Sequence, residues 1–95
     1  MSYTEWAPFN GQNISRATEK SGVYFLGSAH ETTYIGAAHN IRARLEEQIN
    51  SQDICIKETI SFCYHETDFP EAEEEKQLTA FQYEHGRLPK CNKSS

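Results

Sequence analysis

The sequence predicts one small α/β domain of the α+β kind: a three-stranded, mainly antiparallel sheet flanked by helices. Three observations point there. Val23-Tyr24-Phe25-Leu26 and Thr32-Thr33-Tyr34-Ile35 are runs of branched and aromatic residues joined by a link too short for a parallel crossover, so they predict a hairpin. Ile41, Leu45 and Ile49 recur at four-residue spacing, the apolar stripe of a helix. Farther on, Pro70 sits where a helix tolerates an early proline and Gly86 where one commonly ends.

At 95 residues the chain suits a single domain. Its expected organisation is an N-terminal segment over 1–19 packed on the body, the domain itself over 20–92, and a short polar tail over 93–95. In the first segment, Asn10-Gly11 is a turn signal, and Trp6 and Phe9 are expected to pin the segment to the body. The hairpin follows, with Gly27-Ser28-Ala29-His30-Glu31 as its link. Asn40 is the expected N-cap of a helix that Asn50-Ser51-Gln52-Asp53 ends. Ile54, Ile56, Ile60, Phe62 and Tyr64 share one alternation phase, which predicts a longer strand with one covered face.

Asp68-Phe69-Pro70-Glu71 then supplies a cap, an early proline and a carboxylate at the third helical position. The second helix is expected from about Phe69 to Tyr83 or Glu84, with Leu78 and Phe81 on its buried side. Ala72, Glu75 and Leu78 fall on roughly one face, so Glu75 is expected to point towards the sheet edge. Leu88-Pro89 starts an extended tail.

Nine basic and fourteen acidic residues give a formal charge of -5. That balance argues against a protein that coats nucleic acid through phosphate neutralisation alone. The charge is uneven: residues 66–75 hold six acids and no base, whereas residues 76–95 hold Lys76, Arg87, Lys90 and Lys93 against Glu84. Cys55, Cys63 and Cys91 form no paired ligand motif and are odd in number, which predicts reduced thiols and a cytoplasmic protein. No run resembles a signal segment or a membrane span, so no membrane partner is expected. His30, His39, His65 and His85 are scattered without metal-ligand spacing.

The side chains with the most specific chemistry are Tyr24, Tyr34, Arg42, Arg44 and Glu75. A guanidinium binds phosphate oxygens through two parallel bonds and offsets charge in a pentavalent transition state. A phenol, ordinarily titrating near about 10, needs a nearby cation to take a proton at neutral pH. One carboxylate with several waters is an ordinary way to hold Mg²⁺. Each residue also has a plain structural explanation. Tyrosines pack in strands, Gly22 and Gly36 punctuate them, arginines populate surfaces, and Glu71, Glu73 and Glu74 suit the first turns of a solvated helix.

Together, Gly22-Val23-Tyr24, Tyr34-Ile35-Gly36, the stretch from Ala37 to Arg44, Glu75-Lys76-Gln77-Leu78 and the closing Leu88-Pro89-Lys90-Cys91-Asn92 resemble the GIY-YIG nuclease superfamily, notably its small stand-alone members. The likeness spans about residues 20–92. It implies a metal-dependent endonuclease that hydrolyses phosphodiester bonds in DNA, with RNA or branched substrates also open. Tyr24, Tyr34, Arg44 and Glu75 would be catalytic, with a single Mg²⁺ or Mn²⁺ on Glu75. Gly36, His39, Asn40, Arg42 and Asn92 would bind substrate. DNA or another nucleic acid is the implied partner, together with a second copy of the chain or a separate targeting subunit. Two positions depart from the family pattern: Ala37 stands where repair-type members carry lysine, and Gln48 lies near an expected histidine or tyrosine. These departures leave two other readings, a nucleic-acid-binding or protein-interaction module with little turnover, and a structural subunit.

Overall fold

The computed structural model describes residues 3–28 and 31–92; Ala29, His30 and the expected tail over 93–95 lie outside the described residues. The elements run β1 (Ala7–Pro8), α1 (Gly11–Ile14), β2 (Gly22–Ser28), β3 (Glu31–Ala38), α2 (Ile41–Ile49), α3 (Ile54–Lys57), β4 (Ser61–Glu66) and α4 (Pro70–His85). Among the described residues they build a four-stranded sheet in the order β1-β4-β2-β3, with every pairing antiparallel.

The expected three-stranded sheet is therefore corrected to four strands. The added strand is only two residues long and carries a proline, which masks it in sequence. Pro8 sits on the sheet edge, where a missing N–H costs no ladder bond. Thr4 N–H donating to Tyr64 O at 2.9 Å and Phe9 N–H donating to Ile60 O at 3.0 Å hold the segment in place.

The hairpin forms as expected, but both strands run longer than their apolar runs. Tyr24 pairs with Gly36 and Leu26 with Tyr34, after which the register shifts between Leu26 and Gly27. Thr33 is buried beside this shift, and its hydroxyl donates to Leu26 O at 3.2 Å.

A second correction concerns residues 54–64. They do not form one strand, because Asp53 Oδ1 accepts the Cys55 N–H at 2.9 Å and starts the helical turn α3. Ile56 turns inward, whereas Ile54 and Ile60 are 75% and 58% exposed, so the alternating isoleucines are not one buried face.

Ile14, Ala17, Tyr24, Leu26, Ala38, Ile41, Leu45, Ile56 and Phe62 form the core on one face of the sheet, beneath α1, α2 and α3. The opposite face carries α4, with Phe25 and Ile35 bordering a groove shared with Gln77 and Phe81. Tyr3 and Trp6 close on Phe25 there, with ring centroids 4.7 and 6.4 Å away. Gly22 allows β2 to pass close to β4 and α2; a Cβ there would collide with His65 O and lie 2.8 Å from Ile41 Cδ1.

A third correction concerns the cysteines. Cys55 and Cys91 form a disulfide with Cα atoms 5.7 Å apart, and Cys63 is a buried free thiol. The pairing joins α3 to the tail across 36 residues, a proximity that local sequence patterns do not encode.

Candidate active site

The hairpin register explains the spacing of the two tyrosines. Because Tyr24 lies opposite Gly36, Tyr34 is its diagonal neighbour on the same face, with ring centroids 5.9 Å apart. Gly36 is required by this arrangement. A Cβ there would lie 2.7 Å from both Cζ and Oη of Tyr24 and 2.8 Å from Cε2 of Tyr34. The Tyr24 ring is fully buried and Tyr34 half-buried.

From α2 come Arg44 and Gln48, one helical turn apart. Asn40 fixes the start of this helix by accepting the Ala43 N–H at 3.0 Å, and the buried Ile41 and Leu45 fix its rotation. Gln48 Nε2 donates to Tyr24 Oη at 2.9 Å. Arg44 Nε pairs with Glu47 Oε1 at 3.2 Å, and the guanidinium lies near enough to Tyr24 and Glu74 to favour their ionised forms.

Burial nevertheless dominates at Tyr24 and pushes its phenol well above the usual range. Tyr34 raises it further, while the Gln48 hydrogen bond and Arg44 oppose the shift. Tyr24 is therefore a neutral hydroxyl at physiological pH.

The far side of the site is the open edge of β3. Asn92 completes this edge with its side chain: Ile35 N–H donates to Asn92 Oδ1 at 2.8 Å, and Asn92 Nδ2 donates to Ile35 O at 2.9 Å. Cys91 N–H adds a bond to Thr33 O at 2.8 Å. The next edge amide, Ala37 N–H, faces the Glu74 carboxylate closely enough to favour its ionised form. Burial raises the Glu74 carboxyl, against the lowering effects of Ala37 N–H and Arg44.

Glu74 therefore occupies the strand edge, and Glu75 is turned to solvent. In the sequence, Glu74 was readable as a first-turn solvated acid. Counting back from Leu78 places both glutamates on its face, at three and four residues. Phe81 discriminates, because Glu74 precedes it by seven residues, two full helical turns. The half-buried positions Glu73, Glu74, Gln77, Leu78 and Phe81 follow that phase. The expected cap also shifts: Phe69 is the N-cap residue and makes no side-chain cap bond, so Asp68 does not fill that role.

Three other expected substrate residues are engaged within the domain. Arg42 Nε donates to Ala17 O at 2.8 Å and its Nη1 lies 3.6 Å from Glu19 Oε2, which turns it away from the tyrosines. His39 Nε2 lies 3.1 Å from Glu71 Oε2 on the surface. Asn40 serves as the helix cap already described.

The single Mg²⁺ or Mn²⁺ expected on Glu75 is corrected by the donor set. Among the described residues, no three His, Cys, Asp or Glu side chains converge where an ion could be held. Helix rotation is the reason: Glu71 and Glu75 are exposed and only Glu74 reaches the β3 edge.

No family model and no curated protein matches the chain. Solved structures do. The N-terminal GIY-YIG endonuclease domain of UvrC from Thermotoga maritima, in a form bound to magnesium, has a TM-score of 0.65 at 23% identity, over 86% of this chain and 93% of that one. A point mutant of the same domain bound to its catalytic divalent cation gives a TM-score of 0.65 at 22% identity, over 87% and 93%. At such identity the likeness establishes architecture. This chain has the fold of a small GIY-YIG endonuclease-like domain.

Proposed function

We propose that this chain is an endonuclease-type phosphodiesterase acting on nucleic acid, DNA first, with its reacting centre between Tyr34, Tyr24 and Arg44. The observation that supports this reading most is the convergence of two phenols and a guanidinium beside a glycine-opened strand edge, in a nuclease-like fold. Tyr34, the more exposed phenol, would orient the attacking water and accept its proton in the phenolate form. The water oxygen bonds to phosphorus as the P–O bond to the departing strand end breaks, and the departing oxygen takes a proton from solvent water. Arg44 would hold the non-bridging oxygens and offset the developing charge. Tyr24 stays protonated and acts as a hydrogen-bond donor, because burial disfavours its phenolate. Glu74 would keep the β3 edge in place through Ala37 N–H and draw Arg44 towards the site. Cleavage of both strands of a duplex would call on a second copy or a separate targeting subunit, since one such centre cuts one strand.

The test is cleavage of labelled single-stranded, duplex and branched DNA and of RNA, with and without divalent cations. Arg44→Ala should lower turnover by about 100-fold or more. Arg44→Lys should recover part of it, because an ammonium keeps the charge without the guanidinium fork. Equal cleavage by wild type and Arg44→Ala would remove Arg44 from the chemistry. The uncompleted metal-donor set and the charge of -5 favour a second reading, a nucleic-acid-binding or protein-interaction module without turnover. Retained binding with no cleavage in any condition would select it. Cytoplasmic residence would keep Cys55 and Cys91 as thiols, so the assay is run on both redox forms.

No helix among the described residues is long and apolar enough to cross a membrane.

A further inference from the structure

Alternate backbone groups of an edge strand face away from its neighbour and need partners of their own. On β3 the outward groups on either side of Tyr34 belong to Thr33 and Ile35, and the tail serves both. Cys91 N–H donates to Thr33 O at 2.8 Å. The Asn92 side chain accepts from Ile35 N–H at 2.8 Å and donates to Ile35 O at 2.9 Å. This stretch of tail is fixed from two directions: Pro89 is fully buried just before it, and Cys91 is bonded through sulfur to Cys55. Cys55 is a firm post, because Ile56 beside it is buried and Asp53 Oδ1 accepts the Cys55 N–H at 2.9 Å. Both paired cysteines are half-buried, whereas Cys63 is buried and unbonded, so exchange with a dissolved thiol is confined to the pair.

We propose that the Cys55–Cys91 bond is a reversible modification site, opened by a dithiol, that governs how firmly β3 holds Tyr34. A thiolate of the dithiol attacks one sulfur of the pair, forming a mixed disulfide and expelling the other cysteine as a thiolate. The second thiol of the reagent then displaces the remaining cysteine. The dithiol leaves as its own disulfide, and its two electrons and two protons end on Cys55 and Cys91. In the opened form the tail keeps buried Pro89 and the Lys90–Glu58 pair at 3.6 Å. Cys91 and Asn92 are then held on β3 only by hydrogen bonds at a partly exposed edge, where water competes for the same groups. That edge frays, and the stretch of strand carrying Tyr34 loosens with it. Buried Leu26 and Leu45 keep β2 and α2 in place, so Tyr24 and Arg44 stay where they are and one member of the proposed reacting centre is affected. Pro89 keeps the two thiols neighbours, so an oxidised dithiol restores the bond. The effect on turnover rests on the proposed function; the effect on the strand edge does not.

The test follows the Ile35 amide by hydrogen exchange in the full chain, oxidised and after reduction with dithiothreitol. Reduction should speed its exchange by about tenfold and leave the buried Leu45 amide of α2 unchanged, and reoxidation should reverse the change. Cys55→Ser, which keeps Cys91, should exchange at the reduced rate with or without the reagent. Asn92→Ala removes the partner of Ile35 directly, so it should exchange at that rate with the disulfide intact, and it serves if Cys55→Ser does not fold. An Ile35 amide indifferent to reduction would overturn the proposal. So would a further rise of about tenfold when Asn92→Ala is reduced, because the bond would then act by another route. Turnover is read on the same samples. Reduction is expected to lower kcat on labelled DNA by about tenfold with KM little changed, since Arg44 still binds phosphate while Tyr34 is less well placed. Redox-sensitive exchange at Ile35 in a chain that cleaves nothing sustains the modified edge and refutes the nuclease reading. Equal cleavage by the oxidised and reduced chains overturns this proposal and sustains that reading.

Discussion

The two long helices are held on the sheet by different means, and the difference decides how well each places a functional side chain. α2 buries Ile41 and Leu45 completely, an anchor of about 1.5–3 kcal/mol for each such residue. Its rotation is fixed by that stripe, and Arg44 and Gln48 follow with little freedom. α4 is nearly twice as long, yet only Pro70 among its residues is buried; Leu78 and Phe81 are half-covered. It lies along β3 and β2 through half-covered side chains such as Gln77 and Phe81, with further ties towards each end. Tyr3 Oη donates to Glu73 Oε2 at 3.2 Å near one end, and the chain beyond Gly86 is tied down by Pro89, the Cys55–Cys91 disulfide and the Asn92 pairing with Ile35. Two fully buried residues one turn apart set the phase of neighbouring positions, although Ile49, the third residue of the expected stripe, is exposed. A helix laid on the sheet by half-covered side chains does not advertise which of two adjacent glutamates will face inward.

Reducing the disulfide should separate the two helices most sharply. A cross-link closing a loop of 36 residues is worth about 4 kcal/mol in the chain-entropy account. Urea unfolding with and without a thiol reductant, or of Cys91→Ser, checks the size of the loss. Hydrogen exchange should show protection falling first in the tail and the C-terminal part of α4. Equal loosening of α2 would break the contrast.

Side-chain truncation comes next. Leu45→Ala should cost about 3 kcal/mol, the usual range for a fully buried leucine. Leu78→Ala on α4 should cost about 1 kcal/mol, because its side chain is already partly in water. Similar losses for the two in urea titrations would mean that α4 is anchored by its stripe after all.

The paired variants Glu74→Ala and Glu75→Ala sharpen the phase of α4. Removing Glu74 takes the carboxylate away from Ala37 N–H, so the Ala37 amide should shift in NMR spectra and exchange faster. Glu75→Ala should leave that amide unmoved. The opposite pattern would place Glu75 at the strand edge.

The smallest effect is a pH dependence on the α4 face. Burial pushes the Cys63 thiol up to about 12 from its ordinary 9.0. Below the ordinary value both folded and unfolded chains keep the proton. As pH rises from there towards about 12, the unfolded chain ionises first, so stability falls. Cys63→Ala should flatten this alkaline loss in part, leaving the share due to Tyr3 and Tyr24, whose phenols are likewise raised by burial. An identical alkaline profile in the variant would show that Cys63 is wetter than its packing implies.

What could be read in the sequence follows the same division. The hairpin, the tyrosine spacing, the Asn40 cap and the phase of α2 were legible because each rests on contacts within about ten residues: a turn, a cap bond, an apolar repeat. The long strand expected from residues 54–64 failed for the complementary reason. Asp53 could cap a local helical turn, and the alternating isoleucines concealed it.

The chain's own order of residues thus determined which chemical groups share the hairpin face, since strand alternation and register need no distant partner. Only the tertiary structure decided that Ala7–Pro8 adds a fourth strand, that Cys55 meets Cys91, that Asn92 completes the β3 edge, and that Glu74 instead of Glu75 reaches Ala37. Each of those depends on segments far apart in the chain meeting at an unpaired sheet edge or beside the core. Such meetings are selected by global packing and backbone hydrogen-bond satisfaction, which no local pattern records.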